Sequence, residues 1–154
     1  MKKVLALFLA GIVSNFTLSS PVLAETQYVQ TGAQQTTGSD NYTDITGLTL
    51  ILPRANLVSG QTNAIVTLNL PIPYAKGSNF PGITYRILAN GVEVGAGGFT
   101  YISQQPQSFG RVPSTLVAKV QLSTTQVTVV TAQWVGVRGS IGIIDTSANL
   151  SAVW

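Results

Sequence analysis

Apolar and polar residues alternate with a period of two along most of the chain, which is typical of β-strands that bury one face. Pro53 and Pro71 end the first two such runs, because proline cannot donate a hydrogen bond within a sheet. The clearest alternating runs are Leu48–Leu52, Ala64–Leu70, Ile83–Leu88 and Leu116–Gln121. The pattern therefore predicts strands, and it gives no convincing helix after residue 24.

A hairpin is predicted where Asn90-Gly91 follows the third run, since both turn positions of the favoured two-residue hairpin require a positive φ. The return strand begins at Val92, and its glycines predict a bulge or bend. Further strands are expected over Val127–Val135, Ile141–Ile144 and Leu150–Trp154. About eight strands separated by short turns predict an all-β fold, an antiparallel β-sandwich of the jelly-roll type. We expect Val127–Val135 to be central and Trp134 to be buried.

The N-terminal segment has the pattern of a cleaved signal peptide. Lys2 and Lys3 precede the apolar stretch Val4–Val13, and Val22-Leu23-Ala24 offers the small residues that a signal peptidase accepts. The apolar stretch is about half of what a transmembrane helix needs. We therefore predict a signal peptide over residues 1–24, a flexible polar leader over 25–39 and a β-sandwich domain over 40–154. The chain is expected to be secreted, at the cell surface or in the periplasm.

Composition excludes several classes of chemistry. The chain has no His and no Cys, so cysteine nucleophiles, Ser-His-Asp triads and zinc sites with those ligands cannot be built. Without Lys2 and Lys3, six basic residues stand against five acidic ones, and they are scattered. We therefore expect no enzyme activity, no cofactor, no nucleic-acid partner and no insertion into a membrane. The small number of charged residues favours an oligomer, in which identical subunits cover part of each other's surface.

The C-terminal third resembles a known group of domains. A strand that ends in Gln133-Trp134 is followed by the short link Arg138-Gly139-Ser140, a strand over Ile141–Ile144 and a last strand over Asn149–Trp154. Upstream, a strand followed by the Asn90-Gly91 hairpin is found in the same group of domains. These features resemble the compact jelly-roll domains of bacterial and phage proteins that look like C1q and tumour necrosis factor. The resemblance implies a domain that binds and does not catalyse, often as a trimer. The collagen-like Gly-X-Y stalk of the best-known members is missing.

Two segments carry the mixture of aromatic, amide and basic residues that sugar-binding loops use, with an aromatic face for the ring and polar groups for hydroxyls. Ordinary loops have similar compositions, because Gly, Pro, Ser and Asn form turns. The candidate ligand-binding residues are Tyr74, Lys76 and Asn79 in the first segment and Gln105, Phe109 and Arg111 in the second. Asp40 and Asp44 offer oxygen ligands to Ca²⁺, although Asx-turn chemistry explains such a cluster equally well.

These observations predict a secreted, non-enzymatic binding module, a homotrimeric jelly-roll head that recognises a neutral glycan or a protein at a cell surface. The first alternative is a structural, pilin-like subunit of a surface fibre or layer, although residues 25–39 lack the alternating hydrophobic residues of a donor strand. The second is a small outer-membrane β-barrel, which the terminal Trp154 suggests and the short strands disfavour.

Overall fold

The structure is a computed structural model that describes residues 24–38, 40–106, 108–145 and 147–154. The predicted signal peptide, apart from Ala24, lies outside the described residues. No helix in the described ranges has the length and apolar character needed to cross a membrane. The described residues form antiparallel sheets built from β1 (Thr26–Gln30), β2 (Gln35–Thr37), β3 (Thr43–Leu52), β4 (Asn63–Leu70), β5 (Tyr74–Lys76), β6 (Gly82–Ala89), β7 (Val92–Thr100), β8 (Ser114–Gln121), β9 (Thr128–Val137), β10 (Ile141–Ile144) and β11 (Asn149–Val153).

Two four-stranded sheets form the layers of a sandwich, as the sequence predicts. One has the strand order β1-β11-β4-β8 and the other has the order β3-β9-β6-β7. A smaller sheet with the order β2-β10-β5 completes one end of the domain. Strands distant in sequence are therefore neighbours in space, which is consistent with a jelly roll.

The core lies between the two larger sheets and follows the predicted alternation. Leu48, Leu50 and Leu52 of β3 are buried, and the intervening Thr49 and Ile51 are exposed. The inward residues of the other strands meet them in one cluster, which includes Val66, Leu68, Leu70, Ile83, Ile87, Val120, Val130, Ala132 and Leu150. Because the period of a strand is two, this match fixes which face of each strand is buried.

Strand β9 is central, as predicted, because it pairs with β3 on one side and with β6 on the other. Trp134 of this strand is only 1% exposed and is the largest fully buried side chain. Gly142 of β10 lies against it, since a Cβ built on Gly142 would stand 3.4 Å from the Trp134 ring and 2.5 Å from a methyl of Ile83. A larger residue at Gly142 would therefore push the small sheet off the tryptophan.

The predicted hairpin is confirmed at Asn90-Gly91, where φ is 49° and 81°. The predicted irregularity in the return strand is also present, because Ile87 pairs with Gly95 whereas Leu88 pairs with Glu93. Val94 is thus the extra residue of a β-bulge, next to the first glycine of the run.

The N-terminal segment corrects the prediction of a flexible leader over 25–39. Strand β1 pairs with β11, and β2 pairs with β10, so this segment is part of the sandwich. Glu25 and Trp154 exchange two backbone hydrogen bonds of 3.0 and 3.1 Å. Polar side chains do not prevent pairing here, because an edge strand is held by its backbone bonds as well as by burial.

The solvent side of the β1-β11-β4-β8 sheet carries an apolar surface. Tyr28 lies opposite Ser151, Val153 opposite Ile65, and Val117 opposite Thr67. Tyr28, Val117, Ile65 and Val153 are 44 to 59% exposed. We call these four side chains the outer apolar face.

Candidate functional site

Three segments meet at the end of the sandwich that carries the small sheet. They are β5, the connection 101–113 between β7 and β8, and Asp145 directly after β10. The backbone N–H of Val112 donates to the carbonyl of Pro73 at 2.9 Å, and that of Tyr101 donates to Pro81 at 2.8 Å. These bonds hold the two segments that the sequence singles out against one another.

Tyr74 and Arg111, one from each segment, form the centre of this cluster. The guanidinium carbon of Arg111 lies 4.3 Å from the centroid of the Tyr74 ring, which is a cation–π contact. The same guanidinium donates a hydrogen bond to the carboxylate of Asp145. The Arg111 side chain remains 42% exposed, and a guanidinium has five N–H donors, so it has further donors for a ligand.

Tyr101 packs beside this cluster and hydrogen-bonds to the backbone of the two segments that form it. Its ring packs edge-on against Phe109 at 6.2 Å and against Phe99 at 5.6 Å. Its hydroxyl donates to the carbonyl of Gly110 and accepts from the N–H of Ala75 at 3.5 Å. Burial raises the pKa of Tyr101 above its ordinary value of 10.0, although the Ala75 hydrogen bond and the charge of Arg111 act in the opposite direction. The hydroxyl therefore stays protonated at neutral pH and ties the two segments together.

The structure brings together four of the six predicted ligand-binding residues. Tyr74, Arg111 and Phe109 belong to the cluster, and the ammonium of Lys76 lies 5.7 Å from the Tyr74 ring. Asn79 and Gln105 are exposed, and no contact with the cluster is found for either within the described residues. The prediction that residues 74–80 form a loop also needs correction, because Tyr74–Lys76 form β5 and pair with β10.

A second pairing of an aromatic ring with an arginine lies at the same end. The guanidinium of Arg138 stands 5.8 Å from the Phe80 ring and donates to the Phe80 carbonyl at 3.3 Å. Phe80 has a φ of 48°, which is rare for a bulky residue. The N–H of Phe80 donates to the carbonyl of Gln104, so this pair is connected to the same two segments.

Sequence reasoning missed Tyr101, Asp145 and the Phe80–Arg138 pair. Tyr101 directly follows β7, and Asp145 directly follows β10. A functional group at the end of a strand is a signal that could have found both. Nothing in the local sequence of Arg138 indicates that it reaches Phe80.

The calcium candidates are placed apart from this cluster. Asp44 lies in β3 and accepts a hydrogen bond of 2.8 Å from the amide of Gln133. Asp40 lies in the bend before β3. Among the residues described, no group of three or more His, Cys, Asp or Glu side chains could hold a metal ion.

The cluster of Tyr74, Lys76, Tyr101, Phe109, Arg111 and Asp145 combines aromatic rings with cationic donors and one carboxylate acceptor. These groups suit recognition of a ligand that has both hydrogen-bonding groups and C–H surface. We call them the Tyr74–Arg111 cluster.

Comparison with known proteins gives one family. The model described as "Bc2l-C, N-terminal domain" matches residues 26–153. No curated protein matches the chain. The family match supports a domain of the jelly-roll type, and the more specific resemblance to C1q and tumour necrosis factor stays a prediction. The match also begins at β1, and therefore includes most of the segment that the sequence assigns to a leader.

Proposed function

Because the chain belongs to the Bc2l-C N-terminal domain family, a family of lectin-like domains, we propose that it is a non-enzymatic module that binds carbohydrate through the Tyr74–Arg111 cluster. The observation that carries this proposal is the stacking of Arg111 on Tyr74 at a solvent-exposed end of the sandwich. An aromatic ring offers a surface for the C–H groups of a sugar, and a guanidinium offers several donors in a fixed geometry for its hydroxyls.

The guanidinium of Arg111 is already paired with the carboxylate of Asp145, which reduces its attraction for an anion. Lys76 leaves the cluster with one net positive charge. We propose a neutral saccharide as the ligand, since sugar hydroxyls can accept hydrogen bonds from both cationic side chains.

We further propose that the module is a homotrimer whose subunits associate through the outer apolar face. Four side chains on one face of the sheet, with Ser151 and Thr67 between them, give an apolar surface that a soluble monomer would leave in water. Lys119 lies beside Ile65 on the same face. A mainly apolar surface with few charges suits contact with an identical copy.

Export of the chain is part of the same proposal. It rests on the Lys-Lys start, the short apolar stretch and the Val22-Leu23-Ala24 sequence. Intact-mass measurement of protein recovered from the periplasm or the medium is expected to give a chain that starts at Glu25. A mass that includes residues 1–24 would contradict export by cleavage.

A glycan array tests the binding proposal directly. The wild-type protein is expected to bind a subset of neutral glycans, and Tyr74→Ala or Arg111→Ala should weaken each hit at least about tenfold, since a hydrogen bond from a charged group contributes about 1.5–3 kcal/mol. Gln105→Ala is the matched control, because Gln105 is an exposed polar residue of the same connection for which the described residues show no contact with the cluster. The proposal would be contradicted if the folded protein binds no glycan on the array, or if both Tyr74→Ala and Arg111→Ala bind the same glycans as strongly as the wild type.

A further inference from the structure

A second concave surface lies on the other side of β10 from the Tyr74–Arg111 cluster. It is a cleft of about 590 Å³ between β2 and the first part of β3, and we call it the β2–β3 cleft. It exists because β3 leaves β9 here: Asp44 pairs with Gln133 and Thr49 pairs with Thr131, so Ile45–Leu48 lie opposite Ala132 alone. Bulges of this kind often stand beside binding sites.

The walls of the cleft are held in place by hydrogen bonds. The side-chain amide of Gln35 donates to the carbonyl of Thr46 at 2.7 Å and accepts from the N–H of Thr46 at 2.9 Å. The hydroxyls of Thr37 and Thr43 lie 3.3 Å apart. Gln35 thus takes the place of a missing strand partner for the bulged segment, and the cleft is formed before any ligand arrives.

The polar part of the lining consists of hydroxyl and amide groups and one carboxylate, and apolar surface that includes an edge of Trp134 makes up the rest. The lining residues are Ala33, Gln34, Gln35, Thr36, Thr37, Gly38, Thr43, Asp44, Thr46 and Trp134. Within the described residues, no hydrogen bond engages the side chains of Gln34 and Thr36, and Oδ2 of Asp44 is likewise not engaged. The cleft therefore presents unused donors and acceptors on a fixed frame.

This chemistry points to one class of ligand. The described residues of the lining include no Lys or Arg, so they offer no cation to balance a phosphate or carboxylate. A carboxylate accepts two hydroxyl protons and a primary amide both donates and accepts, which matches a ring with adjacent hydroxyl groups.

We infer that the β2–β3 cleft is a second binding site for a neutral saccharide, with Asp44, Gln34 and Thr36 as its hydrogen-bonding groups. Strands β2 and β5, which each contribute to one of the two sites, pair with opposite sides of β10 and therefore lie two strand spacings apart, about 10 Å. One oligosaccharide of a few units can span that distance. The inference does not require that the Tyr74–Arg111 cluster binds sugar.

Trp134 provides a signal that is specific for the cleft. The chain has two tryptophans, so Trp154→Phe leaves Trp134, which contributes to the lining, as the single reporter. This variant is titrated with the methyl glycosides of mannose, galactose, glucose and N-acetylglucosamine, and the emission of Trp134 is followed. A saturable change with at least one glycoside is expected.

Further variants separate the two sites. In the Trp154→Phe background, Asp44→Ala and Gln34→Ala should each weaken the response about tenfold. Gln126→Ala, which removes an exposed amide between β8 and β9, should leave it unchanged. The inference would be overturned if no glycoside changes the emission of Trp134. It would also be overturned if Tyr74→Ala abolishes the change in emission and Asp44→Ala does not. A change in emission from a protein that binds no glycan on the array would support binding in the β2–β3 cleft and contradict binding by the Tyr74–Arg111 cluster.

Discussion

The guanidinium of Arg111 lies 4.3 Å from the centre of the Tyr74 ring and also donates a hydrogen bond to the Asp145 carboxylate. Arg111 is thus held between a strand-borne aromatic ring and an acid from a different connection. Its position depends on both partners, and removal of either one should be measurable.

Asp145→Ala is expected to weaken glycan binding about three- to tenfold, less than Arg111→Ala, because the guanidinium remains but loses one of its two supports. Isothermal titration with a glycan identified on the array measures the effect. Glu93→Ala is the matched control, since Glu93 forms the other ion pair found among the described residues, with Arg86, on β7. Affinity equal to that of the wild type would show that Asp145 does not orient Arg111.

Trp134→Ala is expected to lower the free energy of unfolding by about 3–5 kcal/mol, because it leaves a cavity in the centre of the sandwich. Urea titration followed by circular dichroism measures this loss. Ile102→Ala, at a fully exposed position, should cost less than about 0.5 kcal/mol. A loss below about 1 kcal/mol for Trp134→Ala would contradict the burial of this side chain.

Gly136→Ala should destabilise the fold by about 1–3 kcal/mol or more, since a Cβ at this position would stand 1.8 Å from the carbonyl oxygen of Ser140. The backbone after the Arg138-Gly139 turn would have to move away from β9. Gly32→Ala is the control, as its added Cβ would meet no atom within 4 Å. Equal thermal stability of the two variants would refute this account of the turn.

Tyr101→Phe tests the role of a protonated hydroxyl. The folded-state pKa of Tyr101 is raised by burial, so the stability that the hydroxyl contributes is present below pH 10 and is lost as pH rises through the folded-state pKa. At neutral pH the variant should be less stable by about 1 kcal/mol. The difference from the wild type should shrink above pH 10. Tyr28→Phe, which removes an exposed hydroxyl, controls for the general titration of tyrosines.

Ile65→Lys should convert the proposed trimer into a monomer, because it would put a second ammonium directly beside Lys119 in the contact between subunits. Light scattering coupled to size exclusion measures the mass. Val58→Lys is the control, since Val58 is fully exposed in the connection between β3 and β4. A wild-type protein that is monomeric, or a polymer of open-ended size, would contradict the trimer.

Periodicity in the sequence was sufficient for the strands of the core, but it left open which face of each strand is buried. The structure places Leu50 and Val66 on the buried side, since each strand packs one apolar side against the opposite sheet. The Asn90-Gly91 hairpin followed from φ values that few other residues adopt.

The same reasoning could not find strands that lack an apolar face. Strand β1 carries Gln27 and Val29 on one side and Tyr28 on the other, so only its pairing with β11 makes it a strand. The site was predicted in part for a related reason. Tyr74 and Arg111 were recognised by residue type, whereas Asp145 joins them through a contact between distant segments that no local pattern records.

The pairing of β1 with β11 also sets an order of events during synthesis. The first residues of the domain can pair only after its last residues have been synthesised, because the backbones of Glu25 and Trp154 hydrogen-bond to each other. Until the last strand has left the ribosome, β1 has no edge to join and the four-stranded sheet stays incomplete. Such long-range closure slows folding relative to domains built from local contacts. The β1-β11-β4-β8 sheet can therefore be completed only after β11 has been synthesised, which leaves β1 available until then to any machinery that handles unfolded chains.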